Sequence, residues 1–278
     1  MATPTPTSTP KRPVGRWFAD RVVLFAGVLV LIYTFVPIGY IIGLSFNQPS
    51  GRSATAQFEA FTWNNWTSIC EPDGLCASLR LSIGLSLTAT LIATVLGTMM
   101  AFALVRHSFR GRGASNLVIF LPMATPEVVM GSSLLAMFVS TGFDSVLGFT
   151  TLVISHAMFC LSFVVVTVKA RLTGMDARLE QAAMDLYADE WHTFRLVTLP
   201  LALPGIVAAA MLSFSLSFDD FVVSNFTAGQ SLTFPLYIYG AKLKDFPPQL
   251  FVVGSIMFLV AFVFLLGELN NRRRSQAR

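Results

Sequence analysis

Charged side chains are scarce in this sequence of 278 residues, of which only 12% are Asp, Glu, Lys or Arg. A soluble domain of ordinary composition carries about twice that share, so the chain does not have the composition of one. Hydrophobic residues make up 54% of the sequence, and its mean hydropathy is +0.66. We therefore expect an all-α membrane protein, in which uncharged runs of about 20 residues cross the hydrocarbon layer as helices.

The sequence also lacks the patterns that metal sites and nucleotide-binding loops require. Its three cysteines and three histidines show no zinc-type spacing and no cluster, so no metal site is expected. No G-x-x-x-x-G-K-[ST] loop occurs, so the chain itself is not expected to bind ATP. We predict no catalytic residue, no cofactor in this chain and no nucleic-acid partner.

Six runs that are uncharged or nearly so have the length of membrane spans. The predicted spans are residues 22–46, 81–105, 116–139, 146–168, 199–218 and 249–267. The first is longer than the about 7–15 apolar residues of a signal peptide, so we expect it to be retained. The third is interrupted by Pro122, Pro126 and Glu127. A further uncharged stretch, residues 221–241, is rich in polar residues, and we interpret it as a loop whose partly re-entrant course is left open.

This count divides the chain into segments. They are a disordered cytoplasmic tail at 1–21, a first span at 22–46, an extracytoplasmic loop at 47–79, a five-span core at 80–268 and a basic cytoplasmic tail at 269–278. The disordered tail is predicted from the alternating Thr and Pro of the first ten residues, which cannot bury apolar area. Within the core, residues 176–198 form a charged segment between two apolar runs, which we call the coupling segment.

Lys and Arg are concentrated at four places along the chain. Fifteen of the nineteen fall in residues 11–21, 106–112, 169–195 and 272–278. Membrane loops rich in Lys and Arg stay in the cytoplasm, so six spans with both termini cytoplasmic fit this distribution. A seventh span would place the basic C-terminal tail outside. The loop that holds Cys70 and Cys76 then lies outside, where a small disulfide and two free thiols are both open.

The coupling segment has the pattern of two short helices. Asp176 is a candidate N-cap for a helix over 177–186, and Asp189 is a candidate N-cap for one that begins at the next residue. In a continuous helix, one face would be shared by Ala183, Tyr187, Trp191 and Phe194. The segment is too polar for lipid and too aromatic for a solvated linker. Two interpretations are open: a helix that rests on lipid headgroups, and a docking surface for a cytoplasmic partner.

The same segment resembles the EAA loop of binding-protein-dependent ABC importer permeases, whose pattern is E-x-A-A-x-x-x-G followed further on by I/V-x-L-P. This chain has EQAAMDLY at 180–187 and VTLP at 197–200. The family's glycine falls on Tyr187. Either Tyr187 takes a left-handed conformation, which costs about 1–2 kcal/mol, or the turn moves to 188–189.

The resemblance implies a coupling helix that docks on a nucleotide-binding subunit, which would hold ATP and Mg²⁺. The implied ATPase-coupling residues are Glu180, Ala182, Ala183, Asp185, Tyr187, Asp189, Trp191, Phe194, Leu199 and Pro200.

Three further stretches are similar to one branch of that family, the spermidine/putrescine permeases of the PotC and PotI type. They are LPMATPEVVMGSSLL at 121–135, SFDDFVVSNFTAG at 217–229 and TFPLYIYG at 233–240. The resemblance covers most of 80–270 and implies a type I ABC importer permease with the MetI-like fold in a bacterial cytoplasmic membrane. Its implied partners are a second, homologous permease, an ATPase dimer and an extracytoplasmic substrate-binding protein. The implied mechanism is alternating access.

A polyamine is a polycation, and its path should offer carboxylates, carbonyls and aromatic faces. Asp220 shares a helix face with Ser213 and Ser217, near the outer end of the fifth span. Glu127 lies deep in the third span, where ionisable groups face a bundle interior or a water-filled cavity. The predicted substrate path consists of Asp219, Asp220, Glu127, Ser213, Ser217, Phe221 and Tyr237.

Each of these residues also has a structural interpretation. The aspartates could be solvated at a helix end or paired with Arg80, Lys242 or Lys244, and Glu127 could form a helix–helix hydrogen bond beside its proline. His156 and Cys160 are expected to be packing residues. A stripe of small residues on the second span, which we call the small-residue stripe, is a packing face for this chain or for a second permease. It consists of Ala89, Ala93, Gly97 and Ala101.

Three other functions stay open. A related importer permease would carry another small solute. A gradient-driven secondary transporter or channel would use the carboxylates of the path as a cation relay. A membrane scaffold would use the coupling segment only to recruit a partner.

Overall fold

The computed structural model describes residues 14–51, 53–54, 57–142, 147–176 and 178–276. All regular elements in these ranges are helical, and an isolated bridge pairs Asn47 with Phe61. The chain divides into two compact units, residues 1–71 with 245–278 and residues 72–244. The first unit contains α1 (Val14–Leu44), α2 (Asn64–Thr67) and α12 (Gln249–Gln276). The second contains α3 (Leu75–Arg106), α4 (Arg112–Ala124), α5 (Glu127–Ser140), α6 (Phe149–Thr173), α7 (Arg178–Asp185), α8 (Glu190–Thr193), a π-helical turn (Phe194–Thr198), α9 (Leu199–Asp219), α10 (Val222–Thr227) and α11 (Phe234–Leu243).

Four helical stretches among the described residues are long and apolar enough to cross a membrane. They are Arg21–Leu44, Leu75–Arg106, Phe149–Thr173 and Glu190–Asp219. These four correspond to the first, second, fourth and fifth predicted spans, although the start predicted for the fourth, Val146, lies outside the described residues. The sixth falls on α12, whose apolar part within the described residues is Gln249–Val263. Six spans therefore stay a prediction.

The third predicted span is not one straight helix. It is split into α4 and α5, and the chain bends by 107° between these two helices. Thr125 and Pro126 are extended, with ψ of 132° and 130°, because a proline has no amide hydrogen and disfavours the helical conformation of the residue before it. Pro122 lies inside α4 without ending it.

Helices extend into three segments that were not predicted to be helical. Helix α1 begins at Val14, so residues 14–21 belong to a helix and not to a disordered tail, while residues 1–13 lie outside the described part. Helix α12 runs on to Gln276 through most of the predicted C-terminal tail. The predicted loop at 221–241 contains α10 and the greater part of α11.

Side-chain hydrogen bonds organise the loop that follows α1 in the first unit. The side-chain amide of Asn47 donates to the carbonyl oxygen of Gln57 at 2.9 Å, and its oxygen accepts the amide hydrogen of Glu59 at 2.7 Å. Asn65 donates to the carbonyl oxygens of Asn47 and Ser45 at 2.8 and 3.1 Å. These bonds supplement the backbone hydrogen bonds on either side of the Asn47–Phe61 bridge, and those of Asn65 satisfy buried carbonyl groups. A cluster of aromatic rings covers the same loop: Phe46, Phe61, Trp63 and Trp66.

The second unit is built on the packing of α3 against α6 and α9. The small-residue stripe is fully buried. A Cβ atom added at Gly97 would lie 2.7 Å from Cγ1 of Val164 on α6. The stripe therefore packs against α6 of this same chain, which decides between the two partners left open by the sequence. Small side chains allow this approach because they bring the two backbones close enough for extensive van der Waals contact.

We predict that Gly97→Ala destabilises the second unit by about 1–3 kcal/mol, because Val164 is β-branched and cannot rotate away from the added methyl group. Thermal unfolding of the purified protein in mild detergent measures the effect. Gly84→Ala is the matched control, since it lies on the same helix and a Cβ there meets nothing within 4 Å. Equal stability of the two variants would contradict the packing role of Gly97.

Candidate functional site

Helix α7 of the coupling segment ends in a left-handed turn at Tyr187. Its other end is held by Asp176, whose carboxylate accepts the amide hydrogen of Arg178 at 2.9 Å. Tyr187 has a φ of 64°, and within the described residues all other positive φ values belong to glycines. The amide of Ala188 donates to the carbonyl oxygen of Ala183 at 3.2 Å and closes the turn. Of the two alternatives derived from the sequence, Tyr187 itself takes the conformation of the family's glycine.

Helix α8 begins at Glu190 and is capped by Asp189, as predicted. One carboxylate oxygen of Asp189 accepts the amide hydrogen of His192 at 2.7 Å and lies 2.9 Å from Nδ1 of the same residue. These two hydrogen bonds lower the pKa of Asp189 below its ordinary value, because they stabilise the ionised carboxylate. The cap therefore stays charged at neutral pH and fixes the direction in which the second short helix leaves the turn.

The condition for a common face of the coupling segment, a continuous helix, is not met, because the turn at Tyr187 separates α7 from α8. Phe194 points into the protein, with its ring centroid 5.4 Å from that of Phe102 on α3. Trp191 stacks on the outer side of Phe194 at 5.8 Å and is 64% exposed, and Tyr187 is 99% exposed.

The four most exposed large apolar side chains of the coupling segment define what we call the docking face: Leu186, Tyr187, Trp191 and Leu196. The two leucines were not among the residues predicted from the sequence. The feature that could have identified them is a large apolar side chain within a segment that is otherwise rich in charge.

An apolar groove of about 510 Å³ lies between α7 and the start of α9. Its lining comprises Leu179, Ala182, Ala183, Leu186, Leu196, Val197, Pro200 and Leu201. The groove thus brings together three of the residues implied by the resemblance, the two alanines and Pro200. Asp185 is exposed at the end of α7, and Leu199 is half-buried at the start of α9.

Glu180 differs from the docking face, because only 18% of its side chain is exposed. Its Oε1 atom is 2.5 Å from Nη2 of Arg106, the last residue of α3. The same oxygen accepts a hydrogen bond from the Thr198 hydroxyl at 2.7 Å. The glutamate of the motif is therefore bonded to two other elements of its own chain, the end of α3 and the π-helical turn.

Arg171 joins the end of α6 to the start of α9. Its Nε and Nη2 atoms donate to the carbonyl oxygen of Leu201 at 2.9 and 2.7 Å. Pro204 has no amide hydrogen, so this part of α9 has fewer backbone donors than an ordinary helix. A Cβ atom at Gly205 would lie 2.5 Å from Cγ of Arg171, so only glycine leaves room for the arginine stem.

The two aspartates of the predicted substrate path lie in different environments: Asp219 is exposed and Asp220 is buried. Asp219 is the last residue of α9 and is exposed. The side chain of Asp220 is only 5% exposed, and its oxygens accept the amide hydrogens of Val223 and Ser224 at 3.4 and 2.9 Å. Asp220 therefore stabilises the first turn of α10. Neither aspartate forms an ion pair with Arg80, Lys242 or Lys244 among the described residues.

His156 connects three elements around Asp220. Its Nδ1 atom lies 2.9 Å from the Ser217 hydroxyl on α9, and Nε2 lies 3.1 Å from the Ser224 hydroxyl on α10. Nε2 is also 3.5 Å from Oδ2 of Asp220. The interpretation of His156 as a simple packing residue is therefore wrong. It is the centre of a buried polar network between α6, α9 and α10, and Ser217 belongs to that network.

The other predicted path residues lie apart from this network. Glu127 is the first residue of α5 and is exposed at the bend, where a carboxylate is favoured by the helix dipole. Ser213 is fully buried, and its hydroxyl has no partner among the described residues. Phe221 packs on the ring of Tyr239 with centroids 4.9 Å apart. Tyr237 is half-buried on α11.

The cysteines fall into two groups. Cys70 and Cys76 are disulfide-bonded, which is one of the two alternatives left open by the sequence. Cys160 is a buried free thiol on α6, and its sulfur donates to the carbonyl oxygen of Ser213 at 3.4 Å.

Comparison with known proteins shows that most of this sequence matches one protein family. Residues 93–276 match the family described as the binding-protein-dependent transport system inner membrane component. The spermidine/putrescine transport system permease PotC of Haemophilus influenzae is 35% identical over 265 residues, which cover 94% of this chain and all of that protein. PotC of Escherichia coli K12 is 37% identical over 240 residues, which cover 86% of this chain and 89% of the relative. The putrescine permease PotI of the same strain is 29% identical, with 88% and 92% covered.

Solved structures agree at the level of the fold. A bacterial ABC transporter involved in the import of the acidic polysaccharide alginate gives a TM-score of 0.64 at 17% identity, covering 95% of this chain and 99% of that one. An inward-facing methionine ABC transporter, MetNI, gives 0.56 at 14% identity, covering 71% and 93%. The chain therefore has the fold of an ABC importer permease.

Tyr187→Gly should stabilise the coupling segment by about 1 kcal/mol, because glycine takes a positive φ without steric cost and the exposed tyrosine ring makes no buried contact that is lost. Slower amide hydrogen exchange in residues 178–198 would show the gain. Tyr187→Ala keeps the strained backbone while removing the ring, so its exchange should not slow. If both variants behave alike, the left-handed strain at Tyr187 is not the cause.

His156→Phe should lower the free energy of unfolding by about 1–3 kcal/mol for each buried polar group that loses its partner. The substitution keeps an aromatic ring and removes both nitrogens that reach Ser217 and Ser224. Thermal unfolding in mild detergent gives the comparison. His107→Phe, at an exposed residue after α3, should change stability by less than about 0.5 kcal/mol. An unchanged unfolding temperature in the His156 variant would mean that the network adds no stability.

Proposed function

We propose that this chain, which belongs to the family of binding-protein-dependent transport system inner membrane components, is one permease subunit of an ATP-driven ABC importer of polyamines. The observation that carries the proposal is the coupling segment, where two short capped helices meet at Tyr187 and expose an apolar face on a stretch otherwise rich in charge. The relatives named for spermidine and putrescine transport support the choice of cargo, since two of them are 35% and 37% identical to this chain.

In this proposal the docking face is the contact with an ATPase subunit. Large exposed side chains that become desolvated are the residues that dominate binding energy at protein interfaces. Trp191 is braced from behind by Phe194, so its ring is held in place before the partner arrives. An ordered aromatic side chain loses little conformational entropy on binding, which favours affinity.

The proposed orientation follows from the basic residues. The coupling segment, both termini and the short loop after α3 lie in the cytoplasm. The loop with Cys70 and Cys76 then faces an oxidising compartment, in which the disulfide is stable. An ATPase dimer, a second permease and an extracytoplasmic substrate-binding protein complete the assembly. ATP-driven closure of the dimer would move the docking face and switch the spans between inward- and outward-open states.

The proposed path for the polycation begins at Asp219. This carboxylate is exposed at the end of α9, whereas Asp220 is already engaged by backbone amides and by His156. The adjacent ring pair of Phe221 and Tyr239 offers aromatic faces that attract ammonium groups. We therefore propose Asp219 as a cargo contact and Asp220 as a residue that shapes the path. A gradient-driven relay is less favoured, because Asp220 is already engaged by backbone amides and the chain belongs to a family of binding-protein-dependent transport systems.

The test is transport by the assembled importer in proteoliposomes. We expect spermidine or putrescine uptake to require ATP on the face of the coupling segment, and binding protein loaded with either polyamine to raise ATP hydrolysis. Trp191→Ala combined with Tyr187→Ala should weaken binding of the ATPase at least about thirtyfold, since truncating even one hot-spot side chain costs about 2 kcal/mol or more.

Leu91→Ala is the control for the docking variant, because Leu91 is 66% exposed on α3 and far in sequence from the coupling segment. It should leave ATPase binding unchanged. Normal assembly of the Trp191 and Tyr187 double variant would overturn the docking face. Uptake that follows an ion gradient and ignores ATP would overturn the importer, and a response only to other solutes would overturn the polyamine cargo.

A further inference from the structure

We propose that Glu180 is a positioning residue, which ties the coupling segment to the end of α3, and that it is not a contact with the ATPase. This inference rests on the proposed function. It concerns how a displacement of the docking face reaches the spans, and it gives the glutamate and the aromatic residues of the same segment different tasks.

The bonds of Glu180 join three elements at one carboxylate oxygen. Arg106 reaches it from the end of α3, 74 positions away in sequence, at 2.5 Å. Thr198 reaches it from the π-helical turn at 2.7 Å. The side chains of Arg106 and Glu180 are 28% and 18% exposed, so the carboxylate is partly shielded from the solvent that weakens a surface ion pair.

Helix α7 has little else to hold it in place. None of its eight residues is buried. A helix of this length is not stable alone in water, so its position must come from contacts with the rest of the chain. Its apolar side borders an open groove, which leaves the Arg106 and Thr198 bonds as the directional contacts. Glu180 therefore determines where α7 lies relative to α3.

The connection to α3 leads into the centre of the bundle. Arg106 is in the last turn of α3, and the small-residue stripe of that helix packs directly on α6. Close-packed helices move as units, because sliding one past the other would force atoms to overlap. A movement of α7 is therefore passed to α3 through Glu180, in addition to the covalent route through the π-helical turn into α9.

Glu180 also differs in exposure from the residues assigned to the docking face. Its side chain is 18% exposed, while Tyr187 is 99% and Trp191 64% exposed. Removing its charge should therefore leave the ATPase contact in place and loosen the attachment of α7. Assembly and coupling are then expected to respond separately.

The experiment uses three variants of the assembled importer. Two are the single variants Glu180→Gln and Arg106→Gln. The third is a double variant that exchanges the charges, with Glu180→Arg and Arg106→Glu in the same chain. We expect ATPase co-purification to stay within twofold of the unchanged protein in all three. Spermidine-stimulated ATP hydrolysis should fall about tenfold in each single variant and return to within about threefold in the exchange. Glu190→Gln, a second carboxylate of the same segment, should leave hydrolysis unchanged.

Thr198 provides a milder variant pair in case charge exchange prevents folding. Thr198→Val removes the hydroxyl while keeping the shape of the side chain, and Thr198→Ser keeps the hydroxyl. We expect reduced coupling in the valine variant and full recovery in the serine variant. Because serine lacks the methyl group, a role in packing alone would give the opposite order.

A distance measurement keeps this proposal separate from the proposed cargo. Spin labels at Met184→Cys on α7 and Met99→Cys on α3, both exposed sites, should give one narrow distance distribution by electron paramagnetic resonance. Glu180→Gln should broaden it, without any ATPase or substrate present. If the unchanged importer ignores spermidine but the distribution still broadens, the cargo is wrong and the positioning role stands.

Three results would overturn the inference. Loss of ATPase co-purification in Glu180→Gln as complete as in the docking variant would make Glu180 a direct contact. Full coupling together with an unchanged distance distribution would remove its role. Failure of both the charge exchange and Thr198→Ser to recover coupling would show that these bonds do not transmit it.

Discussion

The close approach of α3 to α6 is the contact on which the second unit of the fold depends. Water cannot drive helices together within lipid, so their association relies on van der Waals contact and on hydrogen bonds between them. Gly97 brings the backbone of α3 against Val164, and the alanines of the small-residue stripe continue that contact along the helix. With α3 and α6 fixed in this way, α9 lies against both, and the π-helical turn before it has a defined place.

Polar contacts fix the positions of the helices further, and they lie where helices end or break. His156 holds the junction of α9 and α10 from α6, Arg171 holds the first turns of α9, and Glu180 holds α7. A buried polar group is costly without a partner, so each contact favours one arrangement of its neighbours over others. The two aspartates differ for the same reason. Asp220 has hydrogen-bond partners and is buried, whereas Asp219 is exposed.

Local chemistry made much of the coupling segment predictable from the sequence. The caps at Asp176 and Asp189 follow from residue type and position, and the left-handed turn was one of two alternatives that the motif left for Tyr187. The face shared by Ala183, Tyr187, Trp191 and Phe194 required an unbroken helix, and the turn at Tyr187 excludes one. The bond between Arg106 and Glu180 joins residues 74 positions apart, and no periodicity relates them. His156 was misjudged for the same reason, since its partners lie on α9 and α10.

The right-angled break between α4 and α5 has a consequence for where the bilayer can touch this protein. At 1.5 Å per residue, thirteen and fourteen residues extend only about 20 Å each, so neither helix alone spans a hydrocarbon layer of about 30 Å. The ends of α4 and α5 at this corner leave backbone carbonyl and amide groups without intrahelical partners, and oil offers them no hydrogen bonds. The bend between α4 and α5 therefore cannot face the acyl chains of the lipids. It must contact either another protein surface or water.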